Sequence, residues 1–338
     1  MTHSPTRIEL VCPAGSLPAL QAAVDSGADH VYIGLRDNTN ARNFAGLNFD
    51  AEAARQGVRY AHDRGVKVLL AINTYPQPGA WERWTGAVDT AARLGIDAII
   101  VADPGLMRYV SRTHPRLDLH LSVQGSATNY EAINFYRRHF NIRRAVLPRV
   151  LSVAQIADVI RNTPVEIEAF GFGSLCVMVE GRCALSSYVT GESPNMTGAC
   201  SPAAAVRWEQ KPDGLESRLN GILVNKYHDD EQAAYPTLCK GRFEVGGASY
   251  YAIEEPASLN ALELLPELAR IGVKAIKIEG RQRSPAYVAA VTRVWRRALE
   301  ACTHYGSGFT PNPAWLADLR AVSEGRQQTL GAYYRPWK

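Results

Sequence analysis

Short β-rich apolar runs alternate with amphipathic stretches along most of the chain. Ile8-Glu9-Leu10-Val11-Cys12 opens the series, and Ser16 then stands where it can cap a helix carrying Leu17, Leu20, Ala23 and Val24 on one face. His30 to Leu35 predicts a second strand, followed by a polar loop over 37–48 and a helix from about Ala51 to Arg64, stopped by Gly65. Lys67 to Ile72, Ala98 to Ala102, Leu119 to Val123, Ala145 to Leu147 and Val165 to Phe170 read as strands three to seven. Helices are expected around Trp81, Trp84 and Val88, around Glu131 to His139, and from Ser152 with Val153, Ile156 and Ile160 at helical spacing. An eighth strand, Lys274 to Ile278, is expected between a helix from Ser258 to Arg270 and another from about Pro285 to Ala301.

Eight strands alternating with helices imply a parallel sheet with right-handed crossovers, and eight strands close a barrel. The expected fold is α/β, a (β/α)8 TIM-type barrel. An open doubly wound sheet is the alternative, weakened because no Gly-x-Gly-x-x-Gly turn follows the first strand. The rhythm breaks once, between strands 7 and 8, where about a hundred residues intervene. Connections of that length are usually functional. In a barrel this one leaves from the C-terminal face, where active sites lie. The expected organisation is a barrel over 1–305, including an insertion at 171–256, and a C-terminal extension over 306–338. The insertion holds turn-rich text (191–195) and a hairpin-like stretch from Arg242 to Ile253. The extension, with Trp315, Leu316, Leu319, Tyr333, Tyr334 and Trp337, is expected to pack an extra helix on the barrel.

Composition changes this picture little. Hydrophobic residues make up 46% and charged residues 21% of the 338, as in a folded globular protein. The net charge of +4 is spread out and does not select for or against nucleic acid. The first residues lack the apolar run of a secretory signal, and no stretch is long and apolar enough for a membrane span. The expected location is cytoplasmic, where disulfides are disfavoured, so six cysteines require another explanation.

Four of the six stand in or beside the insertion: Cys176, Cys183, Cys200 and Cys239. Gly181-Arg182, Pro202 and Lys240-Gly241-Arg242 lie next to three of them. Gly and Pro let backbone wrap closely around sulfur, and cations favour the thiolate that a metal requires. Four thiolates suit an iron–sulfur cluster or a structural zinc. Structural zinc usually takes two tight pairs of cysteines, which this spacing lacks, whereas a cubane accepts scattered ligands. Plain burial is the remaining reading for such cysteines. Cys12 and Cys302 are expected to be packing residues.

Strand C-termini of a barrel converge on one pocket. Asn73, Asp103, Gln124, Arg149, Glu279 and Arg281 occupy such places. Arg149 is suited to clamp a carboxylate or phosphate, and Glu279 and Asp103 to move protons or orient a ligand. The competing reading for each is a helix cap or a local ion pair. The polar loop from Asp37 to Arg42 faces the same way, and His30 and His120 are expected to be packed. No Ser–His–Asp or His-Glu-x-x-His pattern appears.

The stretch Glu168-Ala169-Phe170-Gly171-Phe172-Gly173-Ser174-Leu175-Cys176, continuing through Gly181-Arg182-Cys183-Ala184-Leu185-Ser186, resembles the signature of the collagenase-like U32 peptidase family. Cys12-Pro13-Ala14-Gly15 and Lys277-Ile278-Glu279-Gly280-Arg281 fit the same family. Asn40 to Phe49, Leu185 to Asn195 and Ser323-Glu324-Gly325 to Tyr333 resemble its members that work with a UbiV-like partner in oxygen-independent ubiquinone biosynthesis. That resemblance implies a [4Fe–4S] cluster on Cys176, Cys183, Cys200 and Cys239 and a heterodimer with the UbiV-like protein. It further implies hydroxylation of the aromatic ring of a ubiquinone precursor without O2, with prephenate as a candidate oxygen donor. Relatives in the family hydroxylate RNA bases, so an RNA-base hydroxylase is the alternative. A metal-stabilised scaffold is a third reading and a peptidase the last.

Overall fold

The computed structural model describes residues 7–176, 183–231, 233–325 and 327–334. Eight strands alternate with helices: β1 (Glu9–Pro13), α1 (Leu17–Asp25), β2 (His30–Gly34), α2 (Ala51–His62), β3 (Lys67–Ile72), α3 (Trp81–Leu94), β4 (Ala98–Val101) and α4 (Pro104–Thr113). There follow β5 (Asp118–Leu121), α5 (Tyr130–Phe140), β6 (Arg144–Val146), α6 (Val153–Arg161) and β7 (Glu166–Ser174). After the insertion, α9 (Leu265–Ile271), β14 (Ala275–Ile278) and α10 (Pro285–Tyr305) complete the ring; α7, α8 and β8 to β13 lie between. Each barrel strand pairs in parallel with the next, and β14 pairs with both β7 and β1, so the sheet closes. The fold is a TIM-type (β/α)8 barrel, as the strand count predicts.

Side-chain oxygens start the helices. Ser16, Asp50, Asp103, Asn129, Ser152 and Ser284 each accept a backbone N–H in the first turn, and Ser152 with Gln155 forms a capping box. The main core lies between strands and helices, with Trp84 and Trp295 fully buried in it. A smaller apolar layer inside the barrel joins Val11, Tyr32, Leu69, Ala98, Ile100 and Ala275. Among the described residues, no helix is long and apolar enough to cross a membrane.

The insertion has its own structure. Two short helices, α7 (Ala184–Thr190) and α8 (Pro194–Thr197), precede an antiparallel meander of β8 (Val206–Lys211), β9 (Gly214–Leu219) and β10 (Ile222–Tyr227). The expected hairpin is present as β11 (Arg242–Val245) and β12 (Ala248–Tyr251), turning at Gly246 and Gly247, both with positive φ. The expected helix from Ser258 is corrected. Ala257–Asn260 is a strand, β13, running antiparallel to the end of β7, with Ser258 opposite Ser174; the helix begins only at Leu265. The physical reason is the length of β7. It continues past its barrel neighbours, and its unpaired edge takes up the passing chain. The tail packs α11 (Pro313–Val322) against α10 and adds β15 (Gln327–Thr329) beside β13. Gly181-Arg182 and Trp337, singled out above, lie outside the described residues.

Candidate functional site

At the C-terminal mouth of the barrel lies a cavity of about 100 Å³. Asn73, Gln124, Arg149, Glu279 and Arg281 all line it, and so does Cys176. Asp103 does not. Its carboxylate accepts the Leu106 N–H at 2.7 Å as the N-cap of α4, which corrects the expectation of a pocket role. An N-cap side chain must turn back on its own helix, away from a ligand on the barrel axis.

The other residues hold the mouth together. Asn73 accepts from the Ala41 N–H at 2.9 Å and donates to Ser122 Oγ at 3.2 Å, tying the loop after β2 to the turn after β5. Gln124 is buried in that turn, and its side-chain oxygen has no hydrogen-bond partner among the described residues. The Arg149 guanidinium stacks 3.7 Å above the Phe170 ring. Glu279 faces Arg42 at 3.6 Å and accepts the Ser174 N–H at 3.2 Å. Burial alone would raise its pKa, but the guanidinium groups of Arg42, Arg149 and Arg283 hold it below the ordinary carboxylate value.

Arg281 is only 3% exposed. One Nη donates to Ala41 O at 3.1 Å, while Nε and the other Nη have no partner among the described residues. Burial lowers its pKa to about 10. Gly34 makes room for this side chain: a Cβ there would stand 2.6 Å from Arg281 Nη1.

Lys277 and Tyr32 also line the cavity and were not among the expected site residues, and Arg42 joins them from the polar loop expected to face this way. The strand alternation of Lys277, Glu279 and Arg281 was the available signal, since it sets all three on the inner face. Four cations and one carboxylate therefore line the cavity. Beneath it, Lys277 Nζ lies 2.8 Å from Glu168 and 3.9 Å over the Tyr32 ring. Arg144 joins Glu168 (3.6 Å) to Glu9 (2.5 Å) and Glu166 (2.6 Å) deeper in the barrel. His30 and His120 are packed beside this network, as expected.

Cys176 follows β7 at the cavity rim. Cys183 caps α7, its sulfur accepting the Ser186 N–H at 3.3 Å. The Ser186 hydroxyl donates to the Cys200 carbonyl, so one serine joins two cysteine segments. Cys239 sits buried in a tight turn, Leu238–Lys240. Its thiol pKa is pushed up to about 12 by burial first and then by the proximity of Cys176, with Cys200 adding to it and Lys240 opposing. Burial raises that of Cys183 as well, and Cys200 adds to it. Cys239 thus lies within electrostatic reach of Cys176 and Cys200, and Cys183 within reach of Cys200.

Among the described residues, no three His, Cys, Asp or Glu side chains are close enough to hold a single metal ion. Zinc requires every thiolate within about 2.3 Å of one centre, whereas a four-iron cluster presents its irons to ligands around a wider perimeter. The all-thiol donor set suits such a cluster, and Cys176, Cys183, Cys200 and Cys239 are the residues that would hold it. Cys12 accepts from Thr292 Oγ1 at 3.2 Å inside the core and Cys302 is buried on α10, both packing residues.

A family model described as peptidase family U32 matches residues 15–335. An uncharacterized protease of Methanocaldococcus jannaschii is 31% identical over 333 residues, covering 97% of this chain and 73% of that protein. The tRNA hydroxylation protein P of Escherichia coli is 32% identical over 316 residues, covering 86% and 68%. The 23S rRNA 5-hydroxycytidine synthase of Escherichia coli is 30% identical over 301 residues, covering 89% of this chain but 40% of that protein.

Proposed function

The chain belongs to peptidase family U32, and from that premise we propose that it is an iron–sulfur hydroxylase subunit of the UbiU kind and not a peptidase. In this reading Cys176, Cys183, Cys200 and Cys239 hold a [4Fe–4S] cluster. A UbiV-like protein is the partner in a heterodimer, and the substrate is the aromatic ring of a ubiquinone precursor, hydroxylated without O2. The observation that supports the reading is Cys176 at the rim of a cationic barrel cavity, within electrostatic reach of Cys239, which in turn reaches Cys200. Two relatives are named for hydroxylation of RNA, which supports hydroxylation as the reaction class. Among the described residues the cavity lining contains no histidine and no aspartate to pair with Ser122 as in a serine peptidase.

A bound cluster would supply one-electron transfer beside the cavity. The chain's own residues provide the rest. Arg42, Arg149 and Arg281 offer donors to carboxylates, and Arg281 has two N–H-bearing nitrogens unspent. Phe170 and Tyr32 offer aromatic walls. A dicarboxylate such as prephenate matches this excess of positive charge as the oxygen donor. Glu279, kept ionised by its arginines, orients Arg42 and accepts the backbone N–H that leads to Cys176.

The second reading, an RNA-base hydroxylase, is favoured by the relatives' names. Anaerobic purification with iron, sulfide and zinc assays and a visible spectrum tests the cluster; near-equal iron and sulfide with absorption that bleaches on reduction is the expected result. Zinc alone in a colourless protein would reduce the cysteine lobe to a structural clip. Deleting the coding sequence in an anaerobically grown host separates the substrates. Loss of quinone with unchanged RNA nucleosides is expected, and the converse would favour RNA.

A further inference from the structure

The Ser323-Glu324-Gly325 segment of the tail belongs to neither the cavity nor the thiols, yet it touches both of the chain segments that bear Cys176 and Cys239. Glu324 Oε2 accepts from Ser174 Oγ at 2.6 Å and from Lys240 Nζ at 2.9 Å, with Arg283 at 4.0 Å. Ser174 stands two residues before Cys176, and Lys240 directly follows Cys239. A single carboxylate oxygen therefore joins chain segments that carry two of the four thiols.

The carboxylate is held from behind. Glu324 N donates at 2.7 Å to Ser258 Oγ, and Ser258 is the register partner of Ser174 across β13 and β7. Gly325 adopts φ +69, and a Cβ there would meet Pro256 O at 1.8 Å, so the tail backbone lies hard against the lobe. Ser174 is held on its other side by the cavity, its N–H donating to Glu279. Lys240 is buried; Glu324 pairs with it at 2.9 Å, and the half-buried Glu254 lies within electrostatic reach of both it and Cys239.

We propose that Glu324 is a positioning residue: it keeps the Cys176 and Cys239 segments in register for one shared cluster and balances the Lys240 cation beside Cys239. The proposal rests on the reading that the four cysteines hold an iron–sulfur cluster. Two consequences follow from the charges. Neutralising Glu324 leaves a buried cation beside the cluster, which favours the reduced form and raises the reduction potential. Removing Lys240 leaves a carboxylate there and lowers it. A strap that only braced the fold would not move the two potentials in opposite directions.

The experiment uses the full chain with its partner, purified anaerobically, in wild type, E324Q, E324A and K240M. Iron and sulfide are assayed, and the midpoint potential is read by EPR-monitored titration. E324Q keeps the shape of the side chain and is expected to retain the cluster with a raised potential. K240M should lower the potential, and E324A should lose cluster while circular dichroism shows the barrel intact. A wild-type protein without iron and sulfide overturns the cluster reading and this proposal together. A normal wild-type cluster with unshifted potentials in both E324Q and K240M overturns this proposal alone. Should E324Q fail to fold, K240M decides: an unshifted potential there refutes the charge balance.

Discussion

At the residue scale, Arg281 is the most exacting part of the cavity. Its guanidinium is buried with two nitrogens unpartnered, an arrangement that is costly unless a ligand completes it. Arg281→Met should therefore weaken prephenate binding by about 2 kcal/mol, roughly 30-fold. Isothermal titration against wild type checks this, and equal affinities would remove Arg281 from the binding set. Arg281 was legible in the sequence as a polar residue just past a strand end, and so were Asn73, Gln124, Arg149 and Glu279. Asp103 occupied the same kind of place and proved to be a cap, because strand-end position does not tell a residue that faces the axis from one that starts the next helix. Lys277 was read as part of a strand and of the family-like segment through Arg281 and not as a site residue; its place on the inner face follows from barrel closure.

At the element scale, the regular βα alternation was legible because the strands are short and mostly apolar, and Gly27, Gly65, Gly95 and Gly272 announce four of them. The cysteine lobe was less so. Asn220-Gly221 is a two-residue hairpin turn with φ of +47 and +84, the type I′ signature, and it joins β9 to β10. That local signal was present and unread; the strand before it carries Glu216, Ser217 and Arg218 and gives only a weak apolar alternation. β13 and β15 had no local signal at all; their strand conformation comes from the exposed end of β7, a tertiary cause. Gly325 marks where the tail commits to this pairing. Gly325→Ala should destabilise the tail by about 1–3 kcal/mol, from positive φ and the clash with Pro256. Limited proteolysis should then cut after α10 while the barrel fragment survives; unchanged cleavage would show that the tail is anchored elsewhere.

At the scale of the whole molecule, charges inside the barrel tie stability to pH. Burial would raise the pKa of Glu168, but Lys277, Arg144 and His120 hold it at about 2. Burial lowers that of His120 to about 3, with Arg144 adding to the effect. Both groups bind fewer protons folded than unfolded. His120 thus contributes stability that is full above pH 6.5 and fades as the pH falls toward 3, and the Glu168 contribution fades from about 4.5 to 2. The unfolding free energy from denaturant titrations should decline steadily below pH 6.5, on the order of a few kcal/mol by pH 4, and His120→Gln should flatten the upper part of that slope. A midpoint indifferent to pH between 4 and 7 would contradict the buried network.

The bond from Ser174 to Glu324 spans 150 residues of chain. At roughly 5–20 residues per second on the ribosome, Glu324 is made about 8–30 s after Ser174. The far end of the lobe, Lys240, precedes Glu324 by 84 residues, so for the later part of that interval a completed lobe lacks the carboxylate that joins its ends, and β14, which closes the barrel beneath it, is missing for the first part of that wait. The thiols are then open to whatever loads them, and to oxidants. On the cluster reading proposed above, the order of synthesis would leave the thiols open to loading until residue 324 is made and hold the two segments together afterwards.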